Sequence, residues 1–264
     1  MKIVIIGFGF VGKTIYKAFN KAYKNKKYLL IPIDKKNVND LSLNLDCDFV
    51  FICLPTNLQK NKLDINLIKS YLNFLNKKNY KGIIIIKSTL NVGDTDRFII
   101  KYKNLGNKIV FVPEFLRERM ALKDFLSKNQ ILPIGTNSKH YFKKISILHS
   151  VFTDNIVLMK PKDAELLKLF SNAYNANRIV FANSFYEVCK STGSNYNKIL
   201  KTYLLRKNSS GNYLNCNENL RGYGGKCLPK DIASINHTAK AKTNIKFFEN
   251  IITENKKFKT TIIK

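Results

Sequence analysis

The stretch Gly222-Tyr223-Gly224-Gly225-Lys226-Cys227-Leu228-Pro229-Lys230-Asp231 places a thiol after a glycine-rich bend and a carboxylate four residues beyond the thiol. A cysteine attacks a carbonyl carbon well when a neighbouring group takes its proton, so this spacing suits covalent catalysis. If Pro229 opens a helix, Asp231 lies one turn from the sulfur, where it would orient or activate a water or accept the thiol proton. The plainer readings are a buried structural cysteine and an aspartate that only caps the helix or pairs with Lys230. The rest of the chain must supply a substrate and an oxidant.

An oxidant site is readable at the other end of the chain. The apolar run Lys2 to Ile6 turns directly into Gly7-Phe8-Gly9-Phe10-Val11-Gly12, then into a helical pattern through about Ala22, and a second apolar run from Leu29 to Ile33 ends in Asp34. Strand, glycine turn, helix, strand and acid, with the acid about twenty residues past the last glycine, is the dinucleotide-binding pattern. Gly7 permits the tight turn, Gly9 lets the backbone approach a pyrophosphate, and Gly12 lets helix and strand pack closely. The helix N-terminus faces the phosphates. Asp34 accepts from both ribose hydroxyls and repels a 2′-phosphate, which favours NAD over NADP, with Lys35 and Lys36 weakening that preference. A purely structural glycine turn is the alternative.

Further strand runs follow at Asp48 to Cys53, Gly82 to Lys87, Lys108 to Val112, Ile131 to Ile134 and Asn155 to Met159, with amphipathic stretches near 65 to 78, 93 to 103 and 138 to 149. That alternation predicts a mainly parallel sheet with helices on both faces. Pro55-Thr56, Ser88-Thr89 and Pro113-Glu114 fall just past strand ends, where a doubly wound sheet binds its ligands. From Lys160 the texture becomes one long helical pattern, about 162 to 190, then a shorter one near 195 to 204 and a polar loop from Lys207 to Asn219. Glu165, Lys168 and Asn172 share one face of the long helix. A solvated face is the plain reading of that row.

The composition bounds the rest. A chain of 264 residues with 45% apolar content can bury one standard domain and a smaller one. No leader pattern or membrane span is expected, and the chain reads as cytoplasmic. Five cysteines without a CxxC pair favour reduced thiols over a disulfide framework, and no metal site is expected. The formal charge of +28 raises nucleic-acid binding, but the lysines are scattered rather than clustered, so a solvated surface that attracts anionic substrates is the reading taken.

Several motifs together resemble the UDP-glucose 6-dehydrogenase family, within the wider group of UDP-glucose and GDP-mannose dehydrogenases. They are Gly7 to Gly12, Leu54-Pro55-Thr56, Lys87-Ser88-Thr89-Leu90, Pro113-Glu114-Phe115-Leu116-Arg117-Glu118, Glu165 to Asn172 and Gly222 to Asp231, in family order and spanning nearly the whole chain. The resemblance implies an α/β fold, an N-terminal Rossmann-like doubly wound sheet followed by an all-α central dimerisation domain with a long helix. The implied divisions are residues 1–160, the NAD-binding domain; 161–243, the helical domain with the cysteine loop; and 244–264, the start of a linker. It also implies a homodimer built through the long helix.

The implied reaction oxidises the C6 alcohol of a nucleotide sugar to a carboxylate while two NAD are reduced in succession. UDP-glucose is the expected substrate, with GDP-mannose and UDP-N-acetylmannosamine as alternatives. Cys227 would carry a thiohemiacetal and then a thioester. Lys168 and Asn172 would hydrogen-bond the oxyanion, Asp231 would act beside the sulfur, and Glu114 would serve thioester hydrolysis with Thr89 placing a water. Gly7, Gly9, Phe10, Val11, Gly12 and Asp34 would hold the dinucleotide, with Thr56, Thr89, Glu118 and Lys230 towards its nicotinamide half. Glu114, Phe115, Leu116, Arg117, Glu118, Lys168, Asn172, Tyr213, Tyr223 and Gly224 would hold the sugar nucleotide, and Arg206 and Arg221 are candidate diphosphate arginines. The family continues with a third, Rossmann-like domain over the uridine diphosphate. Phe247 to Lys257 resembles the helix leading to it and Phe258 to Lys264 the start of its first strand, so the sequence is expected to lack that domain. A separately encoded partner domain, or a catalytically silent NAD-binding subunit, would follow from such a lack.

Overall fold

The computed structural model describes residues 1–23, 28–33 and 44–258. The main sheet contains β1 (Lys2–Ile6), β2 (Leu29–Ile33), β3 (Phe49–Ile52), β6 (Ile83–Ile86), β7 (Ile109–Phe111), β8 (Ile131–Gly135) and β9 (Asn155–Met159). Two short strands, β4 (Leu58–Gln59) and β5 (Lys62–Leu63), pair outside it. The seven strands lie in the order β2-β1-β3-β6-β7-β8-β9, parallel from β2 through β7. β7 and β8 meet antiparallel through one residue pair, Phe111 with Gly135, and β8 pairs parallel with β9.

The central strands β1, β3, β6 and β7 are nearly uninterrupted apolar runs because both sheet faces are covered there, whereas most residues of the edge strands β2 and β9 are half-buried or exposed. Side chains alternate between the faces, and the two cores divide accordingly. Val4, Ile6, Val50, Ile52, Ile84 and Ile86 pack under α2 (Asn66–Lys77) and α3 (Asp94–Lys101) through Ile68, Leu72, Leu75 and Phe98. Ile3, Ile5, Phe49, Phe51, Ile83 and Ile85 pack under α1 (Phe10–Ala22) and a later helix over Lys139–His149 through Ile15, Phe19, Ile145 and Leu148. A one-turn 3-10 helix at Glu118–Met120 and the helix α4 (Ala121–Phe125) precede that later helix, α5. This is a Rossmann-like, doubly wound sheet.

The long helix α6 runs without a break from Pro161 to Ser191, 31 residues, or about 46 Å. The helices α7 (Tyr196–Tyr203), α8 (Leu228–Lys242) and α9 (Phe247–Asn255) follow it. The chain divides into two compact units, Met1–Asn57 with Leu63–Lys168, and Leu58–Lys62 with the residues from Leu169 onward. Among the described residues the second unit is helix and loop apart from its share of the short strand pair and a single bridge between Asn217 and Leu220. Ala173, Ala176 and Val180 of α6 pack with Tyr223, Ile232 of α8 and Ile251 of α9, and Ala182 and Cys189 pack with Tyr196 and Cys216. Among the described residues no helix is long and apolar enough to cross a membrane.

Candidate active site

In the first unit the register decides where chemistry is possible. Ile6 pairs with Ile52, Ile52 with Ile86, and Ile86 with Phe111, so these four parallel strands end on one edge. The residues leaving that edge are the glycine turn after β1, Thr56 after β3, Thr89 after β6 and Glu114 after β7. The chain connects β1 to β2 on one side and reaches β3 on the other, and the crevice at such a switch point is where doubly wound sheets bind ligands.

The glycine turn fits a dinucleotide. Gly7 sits at φ +91, and a Cβ there would lie 2.6 Å from the Cys53 carbonyl oxygen. At Gly12 a Cβ would lie 2.1 Å from the Gly7 carbonyl oxygen, so the helix and the turn touch through hydrogen alone. Gly9 is exposed, and a Cβ there would meet nothing within 4 Å. It is the N-cap of α1 and has no side-chain cap, so the first amides of the helix look onto open space. Phe10 and Val11, both half-buried, open the helix. Thr56 is buried and Thr89 half-buried. Asp34, the expected ribose acid, lies outside the described residues, and of Glu118 only its place in the 3-10 turn is described.

Beyond β7, Lys168 of α6 donates to the Glu114 carbonyl at 2.6 Å and reaches its carboxylate at 3.3 Å, while its ammonium lies 5.4 Å from the centre of the Phe115 ring. The Glu114 carboxylate also accepts from the Leu116 amide at 2.8 Å. The Arg117 amide and guanidinium both donate to Asp124, which holds the Asp124 carboxyl below the usual carboxylate range. Two backbone amides of the Phe115 to Arg117 segment, which is expected to hold the sugar nucleotide, thus already have partners within the protein. Lys87, at the end of β6, is buried and donates to the Pro113 carbonyl at 3.3 Å. Burial lowers its pKa to about 8 against the raising effect of Cys53 and Glu114. Glu165, on the same face of α6 as Lys168, accepts from the amides of Gly93 and Thr95 and from the Thr95 hydroxyl, capping α3 across the structure.

In the second unit Cys227 is exposed and is the N-cap of α8, where the first peptide groups favour negative charge. Pro229 lies in the first turn, as expected, and the Asp231 amide closes that turn on the Cys227 carbonyl at 3.1 Å. The Asp231 side chain is fully buried and accepts from Asn172 of α6 at 2.5 Å and from Lys230 at 2.5 Å. The structure therefore brings together Glu114 with Lys168, and Asn172 with Asp231 and Lys230. Tyr223 is buried, Gly224 half-buried, and Tyr213 is exposed with a left-handed φ of 64. Arg206 is exposed. Arg221 pairs with Glu187 and lies over the rings of Tyr186 and Phe258.

Two asparagines hold the cysteine loop, and nothing in the sequence singles them out. Asn255 of α9 accepts from the Tyr223 amide at 2.8 Å and donates to its carbonyl at 3.0 Å, and Asn183 of α6 accepts from the Gly222 amide at 3.1 Å. Both side chains are buried. Their only sequence signal is a polar residue on an otherwise core-facing stripe, a pattern shared with many solvated positions.

Residues 43–153 match the NAD binding domain of the UDP-glucose/GDP-mannose dehydrogenase family, and residues 162–257 match its central domain. The UDP-glucose 6-dehydrogenase of Campylobacter jejuni is 33% identical over 267 residues, covering 88% of this chain and 66% of its own length. The UDP-glucose 6-dehydrogenase TuaD of Bacillus subtilis is 27% identical, over 99% of this chain and 64% of its own. A counterpart from Rickettsia prowazekii is matched over 50% of its length, so the chain spans from half to two thirds of these relatives. The solved UDP-glucose dehydrogenase of Pyrobaculum islandicum superposes with a TM-score of 0.83 over 97% of this chain and 68% of its own, at 19% identity, which speaks to the fold. The glycine cradle at the switch point, the helical unit built on α6 and these two domain matches make the chain a member of the UDP-glucose/GDP-mannose dehydrogenase family, its first unit an NAD-binding domain.

Proposed function

We propose that the protein oxidises the C6 hydroxyl of a nucleotide sugar to a carboxylate, with UDP-glucose as substrate because the relatives named above carry that activity in their names. The observation that carries this reading is an exposed cysteine at a helix N-terminus, with a buried carboxylate one turn on that is hydrogen-bonded to α6. NAD, when bound, takes up a hydride in each of two successive oxidations.

Cys227 adds to the aldehyde carbon, forming a carbon–sulfur bond and a thiohemiacetal that is then oxidised to a thioester. Lys168 and Asn172, one turn apart on one helix, donate to the oxygen that carries the developing charge, an interaction worth about 3 kcal/mol per donor in a dry site. Asp231 holds the Asn172 amide in place, and Lys230 balances the aspartate charge. Glu114 draws a proton from the water that cleaves the thioester, with Thr89 placing that water, and carboxylate product and free thiol result. Lys168 pairs with the Glu114 carboxylate at 3.3 Å and orients it. Thr56, past the end of β3 on the sheet edge that also carries Thr89 and Glu114, serves the nicotinamide half of NAD, and Tyr213, Tyr223 and Gly224 contribute to the sugar-nucleotide site.

The protein acts as a homodimer in this reading. Phe170, Tyr174, Phe181, Phe185 and Val188 form an exposed apolar row along α6, Phe170 at 67% and Phe181 at 59% exposure. Phe170 stacks on Tyr174 and Phe181 on Phe185, so the row is ordered in pairs. A row of this length on one helix suits the same row of a second copy.

The test is NADH formation by the purified full chain supplied with UDP-glucose. About two NADH per sugar are expected, and Cys227→Ser should remove the activity while leaving stabilisation by NAD intact. Stabilisation by NAD with no turnover of any nucleotide sugar would overturn the reading in favour of a silent NAD-binding subunit.

A further inference from the structure

The first unit contains a cavity of about 40 Å³ lined by Lys87, Pro113, Glu114, Gln130, His149 and Phe152, among others. Two of these residues are buried titratable groups that the proposed reaction does not use. His149 ends α5, is 1% exposed, and sits among the rings of Phe19, Phe51 and Phe152. Its Nδ1 lies 3.0 Å from the Ile145 carbonyl oxygen. A carbonyl has no proton to give, so Nδ1 carries the hydrogen and Nε2 presents a lone pair. Nε2 is buried and has no hydrogen-bond partner among the described residues. Burial also lowers the His149 pKa to about 3, so the ring stays neutral in this tautomer near neutral pH. Lys87 lines the same cavity with an ammonium that carries three protons, one of which goes to the Pro113 carbonyl.

These two groups together define what the cavity can take. The occupant must give a proton to Nε2 and accept one from the ammonium. A proton-free anion such as chloride cannot donate to Nε2, and a cation is repelled by Lys87. A volume of about 40 Å³ has room for a few waters at roughly 10–15 Å³ each. Charged or titratable groups facing Lys87 come from each neighbouring element: Cys53 after β3, Glu114 after β7, Lys168 on α6 and His149 on α5.

We propose that the cavity is a water site in which one bound water donates to Nε2 of His149 and accepts from Nζ of Lys87, making Lys87 a positioning residue for the Pro113–Glu114 segment. The water gives the buried ammonium a second partner besides the Pro113 carbonyl and so fixes the peptide that precedes Glu114. The positioning half rests on the reading that Glu114 acts in thioester hydrolysis, and the water site itself does not.

A crystal structure of the full chain at neutral pH should contain a density peak within hydrogen-bonding reach of both Nε2 and Nζ. In ¹⁵N-histidine NMR, Nε2 of His149 should report an unprotonated, hydrogen-bonded nitrogen that does not titrate near neutral pH. A cavity without that water, or a protonated Nε2, overturns the proposal whatever the enzyme does. Lys87→Met should remove the water and lower kcat for NADH formation on the order of 10- to 100-fold, with KM and stabilisation by NAD little changed. An unchanged kcat in a folded Lys87→Met protein overturns the positioning role. If Lys87→Met does not fold, His149→Leu carries the same test, since it removes the Nε2 acceptor and leaves the Lys87 ammonium in place. Absence of NADH formation by the unsubstituted chain would overturn the proposed function alone, because the density and the NMR signal decide the water site separately.

Discussion

Glu165 and His149 are buried side chains that tie stability to pH in opposite directions. Burial raises the Glu165 pKa from 4.5 to about 7, even though the carboxylate accepts from Gly93 and Thr95. A raised pKa means that folding favours the proton, so this contribution is full below pH 4.5 and is lost as pH rises through about 7. His149 runs the other way. Its pKa falls from 6.5 to about 3, so its contribution is full above 6.5 and is lost as pH falls through about 3. At about 1.4 kcal/mol per pKa unit each amounts to a few kcal/mol. Chemical denaturation across this range should find that Glu165→Gln loses the decline between pH 4.5 and 7, and that His149→Leu loses the decline on the acid side. Equal pH slopes in all three proteins would count against both assignments. The two residues differ in how readable they are: Glu165 shares a helix face with Lys168 and Asn172, which marks it as polar and aligned, but only the fold reveals that it caps α3. The aromatic surroundings of His149 come from α1, β3 and the segment after α5, and no local pattern announces them.

At the scale of elements, the glycine turn separates two roles that the motif alone merges. Gly12→Ala should destabilise the fold, because its Cβ would overlap the Gly7 carbonyl, while Gly9→Val has open space around it and should leave the free protein's melting temperature little changed. Gly9→Val should nonetheless abolish the rise in melting temperature that NAD produces, because its side chain fills the approach to the α1 N-terminus. Retained NAD stabilisation in Gly9→Val would move the dinucleotide away from this turn. The strands and main helices are legible in the sequence because a sheet covered on both faces demands runs such as Ile83 to Ile86, and α2 and α3 carry clean amphipathic spacing. The β4–β5 pair is not legible. Its turn residues, Lys60 and Asn61, both sit at positive φ, the conformation of a tight primed hairpin, but no glycine advertises it. The short α4 is likewise too brief for periodicity to register.

For the whole molecule, the +28 charge and the apolar row on α6 make separate demands. A strongly basic chain repels its copies at low salt, so association through Phe170, Tyr174, Phe181 and Phe185 should strengthen as salt is added. Sedimentation or light scattering should find the protein dimeric, and Phe181→Asp with Phe185→Asp should shift it to monomers without unfolding it. A monomeric parent at high salt would remove the dimer from the proposed function. The order of the seven strands carries one last consequence. β8 and β9, with α5 between them, join the other five strands through the single pair Phe111 and Gly135, so the backbone ladder that runs continuously from β2 to β7 is almost interrupted there. Opening that seam breaks far fewer main-chain bonds than opening any parallel neighbour pair, which makes the β8–α5–β9 segment a separate cooperative unit for local unfolding. Its amide protons should exchange with deuterated solvent ahead of those in β1, β3 and β6.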